Sequence, residues 1–159
     1  MDNVNVIRTG FFAIDFSLPD TNGNIYQLKN HLSGKFAAIV FFSGGDNERI
    51  GSYMKDLNQG LPQTASGLAV DIVGICPMRP DDLKKLQEKL RLSFPLLSDY
   101  QMTVSTKYHV VDSYSARPTV HFCIFVIDDY SLIRFRTCEV SGLSKFVPEE
   151  FRNAISKLI

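Results

Sequence analysis

The sequence predicts a three-layer α/β domain with a partly parallel sheet and an antiparallel hairpin at one edge. Two observations carry this. Segments 36–42, 68–75 and 120–127 are almost continuously apolar and strand-sized, as strands buried on both faces should be. Between and after them lie stretches whose apolar residues recur at helical spacing. Strand–helix alternation between buried strands calls for right-handed crossovers, and so for parallel neighbours.

The elements follow in order. Phe36-Ala37-Ala38-Ile39-Val40-Phe41-Phe42 is the first buried strand. Ile50, Tyr53, Met54 and Leu57 then form one face of a helix that starts near Asp46 or Asn47, both good caps. Leu68 to Ile75 is the second strand, and Pro80 opens a helix striped by Leu83, Leu86 and Leu90. Val120 to Ile127 is the third strand. A turn at Asp128-Asp129-Tyr130-Ser131 leads into an antiparallel partner, Leu132 to Cys138. Pro148-Glu149-Glu150 starts a last helix, with Phe151, Ala154, Ile155 and Leu158 on one face and Lys157 in its final turn. No repeat, low-complexity tract or linker interrupts the pattern, so residues 1–159 read as one domain.

Composition excludes several classes of function. With 45% apolar and 21% charged residues among 159, the chain can bury a real core without metal or disulfide staples. Seventeen basic residues against seventeen acidic ones give no positive field for nucleic acid or an anionic membrane. No apolar run reaches the ~18 residues of a membrane helix. The first residues lack a basic segment followed by an apolar core, so no secretory signal is expected. Cys76, Cys123 and Cys138 are an odd, sparse set without C-x-x-C spacing, which reads as neither a disulfide framework nor a zinc knuckle. A reducing cytoplasm is the expected location.

Two segments resemble a known family. Ala13-Ile14-Asp15-Phe16-Ser17-Leu18-Pro19-Asp20-Thr21-Asn22-Gly23, followed by Leu32-Ser33-Gly34-Lys35 before a buried strand, is similar to the opening of the peroxiredoxins, the alkyl hydroperoxide reductase/thiol-specific antioxidant family. Val73-Gly74-Ile75-Cys76-Pro77, a helix, and Leu92-Ser93-Phe94-Pro95-Leu96-Leu97-Ser98-Asp99 resemble its bacterioferritin-comigratory-protein branch. Phe125-Val126-Ile127-Asp128 resembles the family's late strand and turn. The resemblance spans about residues 11–136. It implies a thioredoxin-like fold, a mixed central sheet with helices on both faces, and no cofactor.

The resemblance also implies where chemistry belongs. Peroxiredoxins carry P-x-x-x-T-x-x-C on the loop and first helical turn after the buried strand. The cysteine attacks peroxide as a thiolate, and the threonine and a late-strand arginine polarise the substrate and lower the thiol pKa. Gapless alignment on Phe41-Phe42 puts Ser43 at the proline, Asn47 at the threonine and Ile50 at the peroxidatic cysteine. A resolving cysteine five residues later falls on Lys55, and the arginine falls on Phe122; Arg117, five residues earlier, is not given that role. An isoleucine has no ionisable group, and Ile50 belongs to the apolar stripe of its helix.

Cys76 is the candidate thiol that remains. It follows a buried strand at the edge where open α/β sheets place their ligand sites. The positive end of the helix opening near Pro80 and the nearby Arg79 would both favour a thiolate there. The bland alternative is a small buried hydrophobe. Cys123 sits in the most apolar strand and is expected in the core, whereas Cys138, at the end of an edge strand, is open to exposure but has no activating neighbour in view. The loop Ser43-Gly44-Gly45-Asp46-Asn47-Glu48-Arg49 matches no phosphate-binding motif, and Asp46 and Glu48 would repel an anion. His31, His109 and His121 match no metal-ligand spacing, and Asp81-Asp82 and Asp128-Asp129 read as a helix start and a turn.

The functional expectation is therefore a degenerate peroxiredoxin acting as a binding or assembly module for an unidentified protein partner, with a dimer compatible with that role. The alternative is a thiol-dependent antioxidant oxidoreductase that uses Cys76, with Cys138 as second choice, as its one nucleophile and an external thiol as reductant.

Overall fold

Burial on both faces of three adjacent strands organises the whole molecule. The computed structural model describes residues 8–44, 47–114, 116–139 and 144–159. In chain order it contains β1 (Ser17–Pro19), β2 (Ile25–Gln27), a 3-10 turn (Leu28–His31), β3 (Phe36–Phe41), α1 (Glu48–Leu57), β4 (Val70–Cys76) and α2 (Pro80–Leu90). There follow β5 (Leu96–Ser98), α3 (Thr103–Lys107), β6 (Val111–Asp112), β7 (Thr119–Val120), β8 (Phe122–Ile127), β9 (Ile133–Glu139) and α4 (Pro148–Ser156). The central sheet has the order β5-β4-β3-β8-β9, with β5, β4 and β3 parallel and β8 and β9 antiparallel. The expected mixed sheet with a hairpin edge is what forms, and it is a thioredoxin-like fold.

Alternation along each strand divides the core into two layers. Phe36, Ala38 and Val40 of β3 join Phe122, Ile124 and Val126 of β8 on the face covered by Ile50, Met54 and Leu57 of α1, Leu83 of α2, and Phe151 and Ile155 of α4. Ala37, Ile39 and Phe41 point the other way, with Cys123, Phe125 and Ile127, against Val104 and Tyr108 and the hairpin residues Leu18 and Tyr26. Helices thus flank both faces, α1, α2 and α4 on one and the short α3 on the other. The stripe expected in α2 is only partly used: Leu83 is buried, whereas Leu86 and Leu90 lie half-covered at the rim.

Several short elements have no counterpart in the sequence reading. The hairpin β1–β2 turns on Asp20, whose Oδ1 accepts from Asn22 N and Asn24 N, while Gly23 takes φ +85. Asp99, almost fully buried, accepts from Ser105 N at 2.7 Å and Val104 N at 3.2 Å and so starts α3. The expected strand Val120 to Ile127 is split, because β7 pairs with β6 while β8 enters the central sheet, and His121 N donates to Val110 O between them.

Gly74 leaves no room for a side chain in the helix-covered layer. A Cβ there would come within 2.6 Å of Leu96 Cδ2 and 3.1 Å of Phe42 Cε1. Gly74→Ala is expected to cost about 1–3 kcal/mol through overpacking, read as a lower urea midpoint with unchanged slope. An unchanged midpoint would mean that the layer can spread.

In the opposite layer, burial, then the Asp71 charge, pushes the Tyr26 phenol up to about 12, and burial raises the Tyr108 phenol as well. Both hold their protons longer when folded than the ordinary value of 10.0 allows in the unfolded chain. Their contribution is intact below that pH and is lost as pH rises towards 12. Urea stability should therefore fall above about pH 10, and less steeply in Tyr108→Phe.

Candidate functional site

The C-terminal ends of β3 and β4 and the start of α1 frame the loop that the family resemblance singles out. Phe42 leaves the sheet almost fully buried, Ser43 and Gly44 follow, and Asn47 caps α1 by accepting from Ile50 N at 3.1 Å. Ile50 is 7% exposed and packs in one cluster with Phe42, Met54 and Phe122. Its backbone N–H is thus spent on the cap and its side chain on the core.

Phe122, where the resemblance puts the family's arginine, is buried between Tyr53, with ring centroids 5.0 Å apart, and Phe146, at 5.1 Å. Arg49 supplies a guanidinium beside Ile50 in sequence, and Glu139 at the end of β9 holds it at 2.8 Å. The Glu139 carboxylate also accepts from Tyr53 Oη at 2.8 Å and from Phe146 N at 2.9 Å. Burial first, then this carboxylate, pushes the Tyr53 phenol up. A cavity of about 240 Å³ lies where Asn47, Ile50, Phe122 and Glu139 meet. The sequence reading did not single out Arg49, Tyr53 or Glu139, because their meeting depends on β9 running back beside α1.

A larger groove, about 900 Å³, runs between α1 and α2. Phe42, Ile50 and Met54 line it, Leu86 and Leu90 come from α2, and the exposed Lys55 stands on its α1 side. Ile50 and Lys55, where the resemblance puts the family's two cysteines, both line this groove, with no sulfur at either. Arg117 is exposed in the loop between β6 and β7.

Cys76 ends β4, where the sheet edge was expected to place it, and it is a free thiol. The groups expected to stabilise its thiolate are otherwise engaged. Arg79 lies over the Tyr100 ring at 4.6 Å, and Asp81 and Asp82 occupy the first turn of α2. Cys76 is fully buried in the helix-covered layer, and that burial pushes the thiol up, favouring the neutral form. The Ser43-Gly44 loop lies directly over it: a Cβ on Gly44 would be 3.2 Å from Cys76 Sγ and would run into Met78.

The expectation of three unpaired cysteines is corrected. Cys123 and Cys138 form a disulfide across β8 and β9. Cys123 is buried as expected, whereas Cys138 is half-buried and bonded rather than free. A bulge creates the pairing. Ile127 faces Ile133, but Val126 faces Phe135, so β9 carries one extra residue and Cys138 arrives opposite Cys123. Without it Cys123 would face Thr137, and Cys138 would point to the other side of the sheet.

Comparison with known proteins agrees with this geometry. Residues 9–136 match the model of the AhpC/TSA family. A Mycobacterium tuberculosis protein named as a peroxiredoxin is 31% identical over 109 residues, covering 68% of each chain. Peroxiredoxin Bcp of Escherichia coli is 29% identical over 117 residues, 67% of each. Among solved structures, peroxidoxin BcpB of Mycobacterium tuberculosis superposes with a TM-score of 0.76 at 23% identity over 94% of each chain. A PrxQ mutant of Xylella fastidiosa gives 0.79 at 15% identity over 92% of this chain and 94% of that one. No helix among the described residues is long and apolar enough to cross a membrane.

Proposed function

The chain belongs to the AhpC/TSA family as a peroxiredoxin-like protein of the Bcp/PrxQ type, and from that premise we propose that it is a degenerate member, a binding or assembly module of the cytoplasm. The observation that carries this reading is Ile50. The side chain in the first turn of α1 is a buried aliphatic group, with its N–H given to Asn47. A two-electron attack on peroxide needs a thiolate, and position 50 offers none. The surroundings support the same reading. The aromatic Phe122 fills the place of a polarising cation, and the nearby Arg49 is neutralised by Glu139. What the site offers instead is surface: an open groove along α1 for a protein partner. The balanced charge speaks against nucleic acid as that partner.

The test is peroxide consumption by the reduced protein with an external dithiol in excess. Turnover no faster than that of free cysteine is expected. Turnover faster by orders of magnitude would overturn the reading.

One observation favours a second reading, an oxidoreductase using Cys76 with an external thiol as reductant: that thiol lies directly beneath the Ser43-Gly44 loop. Its burial and raised pKa weigh against it, because a neutral, covered thiol is a poor nucleophile. Any turnover lost in Cys76→Ser would assign the activity to this residue.

A further inference from the structure

The bond between Cys123 and Cys138 lies outside the loop just described, and its two sulfurs differ in access. Cys123 is 1% exposed, whereas Cys138 is half-buried on β9. Among the described residues no strand lies beyond β9 in the central sheet. Among the described residues, Gly10 and Phe11 hydrogen-bond its outer side at Ile133, and Ser144 Oγ donates to Cys138 O at 3.2 Å near the other end. A cation stands on the same face. Arg136 is two residues before Cys138, hence about 7 Å along the strand, and its guanidinium lies 5.6 Å from the centre of the Phe125 ring, the pleat neighbour of Cys123. A positive charge there favours a thiolate at this end of the hairpin. Cys76 belongs to the opposite layer of the core and cannot intervene.

We propose that Cys123 and Cys138 are a thiol–disulfide exchange couple, opened in the folded protein by an external dithiol that attacks Cys138 Sγ. The reductant's thiolate forms a new S–S bond to Cys138 as the Cys123–Cys138 bond breaks, and Cys123 leaves as a thiolate and takes up a proton. The reductant's second thiol then attacks its own sulfur in that mixed disulfide. Cys138 is released as a thiolate beside Arg136, and the reductant closes to its own disulfide. Two electrons and two protons pass to the protein. Attack from the other side would have to reach the covered sulfur of Cys123. In a reducing compartment a bond with one approachable sulfur is transient rather than structural.

The experiment uses the full chain, oxidised, with dithiothreitol at neutral pH, followed by alkylation and mass spectrometry of each cysteine. Both cysteines should become alkylated while the near-ultraviolet circular dichroism is retained, and a monothiol such as glutathione, which cannot complete the second step, should be found as a mixed disulfide on Cys138 and not on Cys123. In a Cys76→Ser background, Cys138 in the Cys123→Ala variant should react with dithionitrobenzoate about tenfold faster than Cys123 in Cys138→Ala, and several-fold slower once Arg136→Gln is added. A bond that resists the dithiol until the dichroism is lost would overturn the proposal. So would a monothiol mixed disulfide found on Cys123 instead of Cys138 in the wild-type chain, a result available even if the variants fail to fold.

Discussion

Glu139→Ala should lower stability by about 3 kcal/mol, equivalent to about 10 °C in thermal midpoint for a chain of this size. Three donors converge on this one carboxylate, from Arg49, Tyr53 and Phe146. Glu139 is 8% exposed, so removing it leaves the Phe146 N–H without a partner in a nearly dry place. The Arg49 side chain is half exposed, and its share of the loss is accordingly small. Glu139→Gln keeps an acceptor for Tyr53 and Phe146 and should recover about half of the loss. Differential scanning calorimetry decides it. A Glu139→Ala midpoint equal to wild type would mean that β9 and α1 are held together by the aromatic cluster of Tyr53, Phe122 and Phe146 alone.

Ile50→Cys should place a thiol in the first turn of α1 without making a peroxidase. The resemblance puts Asn47 and Phe122 where the family carries the threonine and arginine that polarise peroxide. One preorganised donor is worth about 10²–10³ in rate, so the loss of two leaves the variant about 10⁴-fold or more below a relative that keeps both. Stopped-flow oxidation of the new thiol by hydroperoxide measures this directly. Fast oxidation would show that Arg49 leaves Glu139 to serve the new thiol, or that position 50 is not where the family's alignment falls.

The strands at 36–41 and 122–127 and the helices carrying Ile50, Leu83 and Phe151 were legible because burial writes long apolar runs and 3.6-residue stripes. The three-residue strands β1, β2 and β5 and the five-residue α3 are too short for any period, and side chains such as Asp20 and Asp99 organise their surroundings. The disulfide was illegible for a sharper reason. The expected hairpin joined the right strands, but one bulged residue decides whether Cys138 meets Cys123 or turns to the opposite face. The position of Cys76 was foreseen, whereas its sealing by Gly44, Met78 and their loops is a tertiary contact with no local signature. Glu139 gathers partners 86 and 7 residues away, beyond any spacing argument.

The most direct test of the account is to expose the fully reduced wild-type protein to one equivalent of hydroperoxide and trap any sulfenate with a dimedone-type reagent, mapping Cys76, Cys123 and Cys138 by time. No cysteine should be oxidised faster than free cysteine in the same buffer. Rapid, stoichiometric sulfenate at Cys76, abolished in Cys76→Ser, would contradict it.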